Sequence, residues 1–303
     1  MKNNLERRRQ QGFTLIEMSI VLVIIGLIVG GVLVGQDLIK SAQVRAQITQ
    51  VERYNTAANT FRGVYGYLPG DVPGALATSL GLVARGGEPG RGDGNGLIQG
   101  YEWNYNSVLP ASQTGETWFF WEDLSSANLV EGTFKTAIDH YQALYSNSQF
   151  AAYSPAARIG GNNYVYVYSG GISGTDGNNY FGLSIPSAVN IDTQYMTSSP
   201  GLTVNQAYAI DTKVDDGLPQ SGHVTALYVN GFINGSVQTY VFWAGGGGGT
   251  STAGPVGTAP GNAATGSSTT CYDNGGNASA TMVYSTEQNG GNGVNCALSF
   301  QFQ

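Results

Sequence analysis

The stretch Phe13–Gly35, FTLIEMSIVLVIIGLIVGGVLVG, is an almost unbroken apolar run near the start of a chain of 303 residues. Its length is about what a helix needs to span the hydrocarbon core of a bilayer. Arginines 7–9 stand just before it, which places the N-terminus on the cytoplasmic side of the membrane. A cleaved secretory signal is the alternative, but no A-x-A pattern follows the run and a helical pattern continues beyond it. The run therefore predicts a single membrane-spanning helix.

One carboxylate, Glu17, interrupts this run. An acid inside the membrane costs a few kcal/mol, so such a residue is by default functional and requires a partner. Glu17 is therefore a candidate functional residue.

The string that leads to this acid, Gly12-Phe13-Thr14-Leu15-Ile16-Glu17, resembles the type III signal sequence of the type IV pilin and type II secretion pseudopilin superfamily. The resemblance implies that a prepilin peptidase cleaves after Gly12 and then N-methylates Phe13. It also implies that Glu17 pairs with the terminal amine of a neighbouring subunit during assembly. At i,i+4 spacing Phe13 and Glu17 share one helix face, so the free subunit can also neutralise itself. Residues 1–12 are then a cleaved leader.

Four glycines lie inside the apolar run, in a region where many members of that family carry a proline. Two small-xxx-small spacings result, Gly26/Gly30 and Gly31/Gly35. Such spacings allow helices to approach closely, and glycine also weakens a helix locally. Both roles suit the helical core of a filament, and the sequence leaves them open.

Beyond the membrane-spanning half, residues 36–62 form an amphipathic continuation of the helix. Apolar residues recur at three- and four-residue steps, and no proline occurs between Phe13 and Arg62. One helix of about 50 residues would be roughly 75 Å long. Its second half can bury an apolar stripe against a globular domain.

Residues 63–303 are predicted to be a loop-rich globular head built on an antiparallel β-sheet. Residues 63–116 are interpreted as a loop because they are rich in Gly and Pro, and Thr117–Val130 as a short helix. Residues 245–270 are interpreted as a flexible loop. Strands are predicted from β-branched and aromatic runs at Tyr164–Tyr168, Tyr180–Ile185, Ala207–Ile210, His223–Val229, Val237–Trp243, Met282–Tyr284 and Ala297–Phe302. The fold class is thus α+β and pilin-like, with a long helix packed on a C-terminal sheet.

The chain has two cysteines, Cys271 and Cys296, in its last tenth. In an exported chain they predict one disulfide, with two unrelated free thiols as the alternative. This arrangement also resembles the cysteine-bounded C-terminal region of many pilins.

A possible calcium loop begins at Arg91, in the string RGDGNGLI. Counted from Arg91, Asp93, Asn95 and Glu102 fall at the third, fifth and twelfth positions of an EF-hand loop, but arginine occupies the first, where an acid belongs. A glycine-rich turn is the favoured interpretation and Ca²⁺ the alternative. The acidic string Asp211–Gly217 is likewise interpreted as a solvated turn at a strand end rather than a metal site.

The charge distribution and the motifs bear on the function class. The net charge is −7, although residues 1–12 are basic, so the body is acidic and general nucleic-acid binding is not expected. The two histidines, His140 and His223, lack metal-ligand spacing, and the sequence has no G-x-S-x-G, H-E-x-x-H or phosphate-loop motif. An enzyme is therefore not expected, and no cofactor other than the possible Ca²⁺.

The resemblance implies a structural subunit of a type IV pilus or a type II secretion pseudopilus. Its expected partners are the prepilin peptidase, other pilin subunits and an inner-membrane assembly platform. Its expected location is the bacterial inner membrane, and then a periplasmic or extracellular filament. The alternative is a minor pilin whose large head recognises a surface, a substrate or DNA.

Overall fold

A computed structural model describes residues 13–87, 89–102, 107–109, 113–135, 147–171, 176–189, 196–231, 240–245, 270–275 and 280–303. The chain divides into two compact units, Met1–Ala42 and Gln43–Gln303. The predicted leader, His140 and most of the loop 245–270 lie outside the described residues.

One helix, α1, spans Leu15–Tyr65 and confirms the predicted long helix. Within the first unit its side chains are exposed throughout the apolar run. By length and composition this helix can cross a membrane. Within the second unit the helix buries one face, at three- and four-residue steps, through Val44, Gln47, Gln50, Val51, Ala57, Ala58 and Phe61.

Two buried glutamines on this face fasten α1 to the head. The Gln47 Oε1 accepts a hydrogen bond from the Ile159 N–H at 3.0 Å. The Gln50 Oε1 accepts one from the Arg158 N–H, and the Gln50 Nε2 donates to the Ala156 carbonyl, both at 2.9 Å. The two side chains therefore satisfy the backbone of residues 156–159 much as a neighbouring strand would.

The described part of the second unit contains further helices and short strands. The helices are α2 Gly74–Ser79, α3 Glu116–Ser126, α4 Asn147–Phe150 and α5 Val204–Val214. The strands are β1 Gly100–Glu102, β2 Ser107–Leu109, β3 Tyr164–Ser169, β4 Asn179–Val189, β5 Met196–Ser199, β6 Leu202–Thr203, β7 Val224–Thr225, β8 Leu227–Asn230, β9 Tyr240–Trp243, β10 Tyr272–Asp273, β11 Val283–Tyr284, β12 Val294–Cys296 and β13 Leu298–Gln301.

The main sheet is antiparallel and has β4 at its centre, with the order β3-β4-β13-β7 and β5 paired with the far end of β4. In β4, residues 179–184 pair with β3, and residues 185–189 pair with β5 across a bulge near Pro186. The other strands form two-stranded ladders, β1-β2, β6-β12, β8-β9 and β10-β11. The predicted α+β class with an antiparallel sheet is confirmed.

Tyr166 of β3 ties three strands together in the core. Its ring lies over Gly182 of β4, where any Cβ would collide with it. Its hydroxyl accepts hydrogen bonds from the Val229 N–H at 3.0 Å and the Ser184 hydroxyl at 3.1 Å. Glycine at 182 is thus required by the close approach of a buried ring.

Helix α3 lies where α1 and the sheet meet. Trp121 packs edge-on against Tyr54 of α1 with ring centroids 4.8 Å apart, and Phe120 contacts Phe181 of β4 at 5.9 Å. The helix ends at Ser126, earlier than the predicted Val130, and Asn128 follows in the left-handed region with φ 57°. Asn tolerates that region better than most residues, which accounts for the earlier end.

Two strand predictions need correction. Ala207–Ile210 is part of α5, which begins at a capping box: the Thr203 hydroxyl accepts from the Gln206 N–H, and the Gln206 side chain accepts from the Thr203 N–H. The predicted strand His223–Val229 is two strands, because the Ala226 N–H donates to Pro219 and its carbonyl accepts from Ala244. The loop predicted for residues 63–116 contains α2 and the paired strands β1 and β2.

Candidate functional site

The N-terminal turn of α1 places Thr14 and Glu17 in direct contact. The Thr14 N–H donates to Glu17 Oε2 at 2.7 Å, and the Thr14 hydroxyl donates to the same oxygen at 2.8 Å. The Glu17 N–H in turn contacts the Thr14 hydroxyl oxygen at 3.3 Å. This is a capping box, in which the first N–H groups of the helix are satisfied locally. The T-x-x-E spacing could have revealed it in the sequence.

The capping box defines where the helix begins relative to the predicted cleavage point. Phe13 and Thr14 lie outside regular helix, which starts at Leu15. Phe13 is 80% exposed, and Gly12 lies outside the described residues. The carboxylate of Glu17 is therefore held close to the residue that would become the new N-terminus.

The four predicted packing glycines lie on an open surface of the single chain. Among the described residues, no atom beyond the chain neighbours and the helix's own backbone lies within 4 Å of the position that a Cβ would take at Gly26, Gly30, Gly31 or Gly35. The apolar residues around them are exposed as well. This surface can accept another apolar helix without obstruction, and the packing role of the glycines stays a prediction.

In the head, the predicted calcium loop folds around a buried carboxylate, Asp71. The three backbone N–H groups of residues 94–96 donate to Asp71 at 2.7–3.2 Å. Asp93 accepts from the backbone and side-chain nitrogens of Asn95 at 3.0 and 2.9 Å. Of the predicted ligands, Asp93 and Asn95 come together here, whereas only the backbone of Glu102, in β1, is among the described residues.

Glu116, at the start of α3, completes an acidic group with Asp71 and Asp93. One oxygen of each lies within 4.8 Å of the others. Glu116 is buried and accepts from the Gly92 N–H at 2.8 Å and the Gln99 N–H at 2.9 Å. Carboxylates at this spacing can share protons or hold a hard cation. The calcium prediction therefore stays a prediction, with two carboxylates that the EF-hand spacing did not include.

Burial controls the protonation of these acids. It raises the pKa of Asp71 to about 7, against the opposing effect of the Gly96 and Gly94 N–H groups, and the nearby Asp93 charge raises it further. It also raises the pKa of Glu116 well above its ordinary value, with Asp71 as the next contribution. Each carboxyl therefore favours its protonated form over more of the pH range than an exposed acid does.

The prediction that Asp211–Gly217 is a solvated turn at a strand end is wrong. This string lies at the end of α5, and Asp211 is fully buried. The Tyr284 hydroxyl donates to its carboxylate at 2.8 Å and the Gly217 N–H at 3.0 Å. Burial is the first cause that raises the pKa of Asp211 to about 7. Asp211 therefore joins α5 to β11 and to the following turn.

The predicted disulfide is confirmed. Cys271 and Cys296 are bonded, their Cα atoms are 5.1 Å apart, and both are fully buried. The bond joins the residue before β10 to the end of β12. It therefore fixes the position of β12, which directly precedes β13 of the main sheet.

The comparisons with known proteins concern the N-terminal segment. Residues 7–33 match the family described as the prokaryotic N-terminal methylation motif. No curated protein and no solved structure matches the chain. The matched segment contains the candidate cleavage point, the Thr14–Glu17 capping box and most of the exposed apolar half of α1. The motif and this apolar helix together support a prepilin-type N-terminal segment, of the kind that type IV pilin-like precursors carry.

Proposed function

We propose that the protein is a structural subunit of a type IV filament, either a pilus or a type II secretion pseudopilus. A prepilin peptidase removes residues 1–12 and methylates Phe13. The mature subunit stays in the inner membrane, with its N-terminus cytoplasmic, until an assembly platform adds it to a helical filament of pilin subunits. The methylation motif at residues 7–33 is the observation that carries this proposal.

The exposed half of α1 supports the proposal physically. An apolar helix surface of this length is stable in lipid or against other helices but not in water. The same surface can therefore exchange lipid for neighbouring subunits. Gly26, Gly30, Gly31 and Gly35 leave room for close helix contacts in the assembled state.

Glu17 supplies the polar contact in this apolar layer. In the precursor its carboxylate is satisfied by Thr14 at 2.7 and 2.8 Å. Cleavage creates an amine at Phe13, which is a stronger partner for a carboxylate than a neutral donor. Docking then pairs Glu17 with the amine of a neighbouring subunit, so that no charge remains buried and unpaired.

Mass spectrometry of the mature protein tests the processing step. The N-terminal peptide should begin at Phe13 and carry an N-methyl group. Gly12→Ala should leave the precursor intact, while Gly26→Ala should be processed normally because it lies beyond the cleavage point. A mature protein that still begins at Met1 would refute the proposal.

A minor pilin with a binding head is the second candidate, favoured by the size of the Gln43–Gln303 unit. Abundance separates the two roles. A main structural subunit dominates purified filaments, whereas a minor subunit is scarce in them.

A further inference from the structure

Asn-Gly pairs are points where a protein chain can modify itself, and the structure describes five of them. The backbone nitrogen of the glycine attacks the asparagine Cγ, the Cγ–Nδ2 bond breaks, and ammonia leaves. Water then opens the resulting succinimide to aspartate or isoaspartate. The reaction requires a glycine N–H and an asparagine amide that are both free to move together. The described pairs begin at Asn95, Asn230, Asn274, Asn289 and Asn292.

Three of these pairs are held in place by hydrogen bonds of the attacking nitrogen. The Gly96 N–H donates to Asp71 at 2.8 Å, and the Asn95 side chain is bonded to Asp93, Leu97 and Gln99. The Gly231 N–H donates to the Met196 carbonyl, and the Asn230 amide oxygen accepts from the Ser198 N–H. Asn274 is buried, and the Gly275 N–H donates to Asp273 at 2.9 Å. Each nitrogen must lose its bond before it can attack.

The pair Asn289-Gly290 is in a different situation. It lies in the short 3₁₀ turn Gln288–Gly291, and both residues are exposed. Asn289 has φ 48° and ψ 33°, a left-handed conformation that is unusual for a residue with a side chain. Its backbone carbonyl accepts from Asn292, whereas among the described residues no hydrogen bond holds its side-chain amide. The i→i+3 bonding of the 3₁₀ turn restrains the Gly290 N–H, so this single exposed turn must open before the nitrogen can attack.

Asn292 is the nearest competitor, since it is exposed and followed by Gly293. Its amide Nδ2 donates to the Asn289 carbonyl at 3.1 Å, and its backbone N–H donates to the same oxygen at 3.2 Å. These bonds restrict the Asn292 side chain. The turn thus restrains the Asn292 side chain, whereas the Asn289 side chain has no hydrogen bond among the described residues.

We propose that Asn289 is a self-modification site of the folded protein, which converts to aspartate and isoaspartate in water. The change adds one negative charge beside the start of α5, because the Asn205 side chain donates to the Gly290 carbonyl and the Val204 N–H to the Gly293 carbonyl. Isoaspartate also adds one carbon to the main chain, which displaces the Gly290 carbonyl from Asn205. Subunits accumulate the modification with age.

The test is incubation of the full-length protein in detergent at mildly alkaline pH, followed by peptide mapping with fragmentation to assign each site. A denatured and reduced sample is the reference, in which all five pairs should react at comparable rates. In the native protein Asn289 should react fastest of the five pairs, because only one exposed turn must open. Asn95, Asn230 and Asn274 should be at least about tenfold slower than in the reference, because each must open first.

Asn289→Gln is the matched variant, since the longer side chain cyclises far less readily. It should abolish the mass gain at this position and leave the rates at the other four pairs unchanged. Native protection of Asn289 as strong as that of Asn95 would overturn the proposal, and so would faster reaction at Asn292. Neither result bears on processing at Gly12, so the proposed function is tested separately.

Discussion

At the scale of single residues, Asp211 shows how a buried carboxyl links stability to pH. Its pKa rises from 3.8 to about 7 in the folded protein, first because of burial. Burial also raises the pKa of Asp71 to about 7. Between pH 3.8 and about pH 7, the folded state binds protons that the unfolded chain has already released. The stabilising effect of the protonated carboxyls is therefore complete below pH 3.8 and is lost as the pH rises through about 7.

We therefore expect the contribution of these two groups to the free energy of unfolding to decrease from about pH 4 to about pH 7. Asp211→Asn should flatten part of this decrease. Asparagine can accept from the Gly217 N–H and donate to the Tyr284 hydroxyl, so the local bonds survive. The measurement is denaturant unfolding across this range, with Glu131→Gln on the exposed surface as the control. An identical pH slope in the Asp211→Asn variant and the native protein would contradict the assignment.

The acidic group of Asp71, Asp93 and Glu116 contains one ligand, Asp93, of the predicted calcium loop. If Asp71, Asp93 and Glu116 hold Ca²⁺, binding must displace protons from Asp71 and Glu116, so the affinity should rise with pH. Calorimetric titration of the full-length protein should show heat, and the unfolding temperature should increase with calcium. Asp93→Asn should weaken both effects by removing one charge from the group. No heat and no change in unfolding temperature at millimolar calcium would end the idea.

Local spacing could identify only part of this acidic group. Asp93 and Asn95 are close in sequence and stand out in a glycine-rich loop. Asp71 and Glu116 come from the segment before α2 and from the start of α3, and only the folded chain brings them to the loop. A pattern within one segment carries no information about such distant partners.

At the scale of elements, the attachment of α1 to the head depends on Gln50. Gln50→Leu keeps the side chain's size but removes the partners of the Arg158 N–H and the Ala156 carbonyl. Both bonds are half-buried, so each group left without a partner should cost about 1 kcal/mol, at the low end of the range for buried groups. Thr49→Ala, on the exposed side of the same helix, should change stability by less than about 0.5 kcal/mol. Equal unfolding free energies for the two variants would show that these bonds contribute nothing.

Elements with a long or regular pattern could be predicted from the sequence, whereas several short ones, such as α2 and β1, could not. The periodicity of α1 extends over many turns, and the Tyr-Val alternation of β3 is strong. Residues 207–210 offer only four positions, too few to distinguish a strand from a helix, and the signal for α5 lay instead in the T-x-x-Q box at Thr203. The break at Ala226 depends on bonds to Pro219 and Ala244, which no local pattern reveals.

At the scale of the whole molecule, the chain combines an exposed apolar helix with a head that contains one buried disulfide. The N-terminal segment carries the family resemblance, and the head matches no solved structure. The functional inference therefore rests on the N-terminal segment and on the chemistry of Glu17. Since the neighbouring subunit supplies the proposed partner of Glu17, the decisive experiment must measure assembly.

That experiment compares Glu17→Ala with the native protein, each as the sole source of the subunit. The variant should insert into the membrane, because its helix becomes more apolar, and should be cleaved largely as the native protein is, because Gly12 and the basic leader remain. Glu52→Ala, an exposed acid further along α1, is the matched control. The measurement is filament yield beside the membrane-bound subunit pool. We predict a normal pool with no filaments for Glu17→Ala, whereas filaments at normal yield would contradict the central claim.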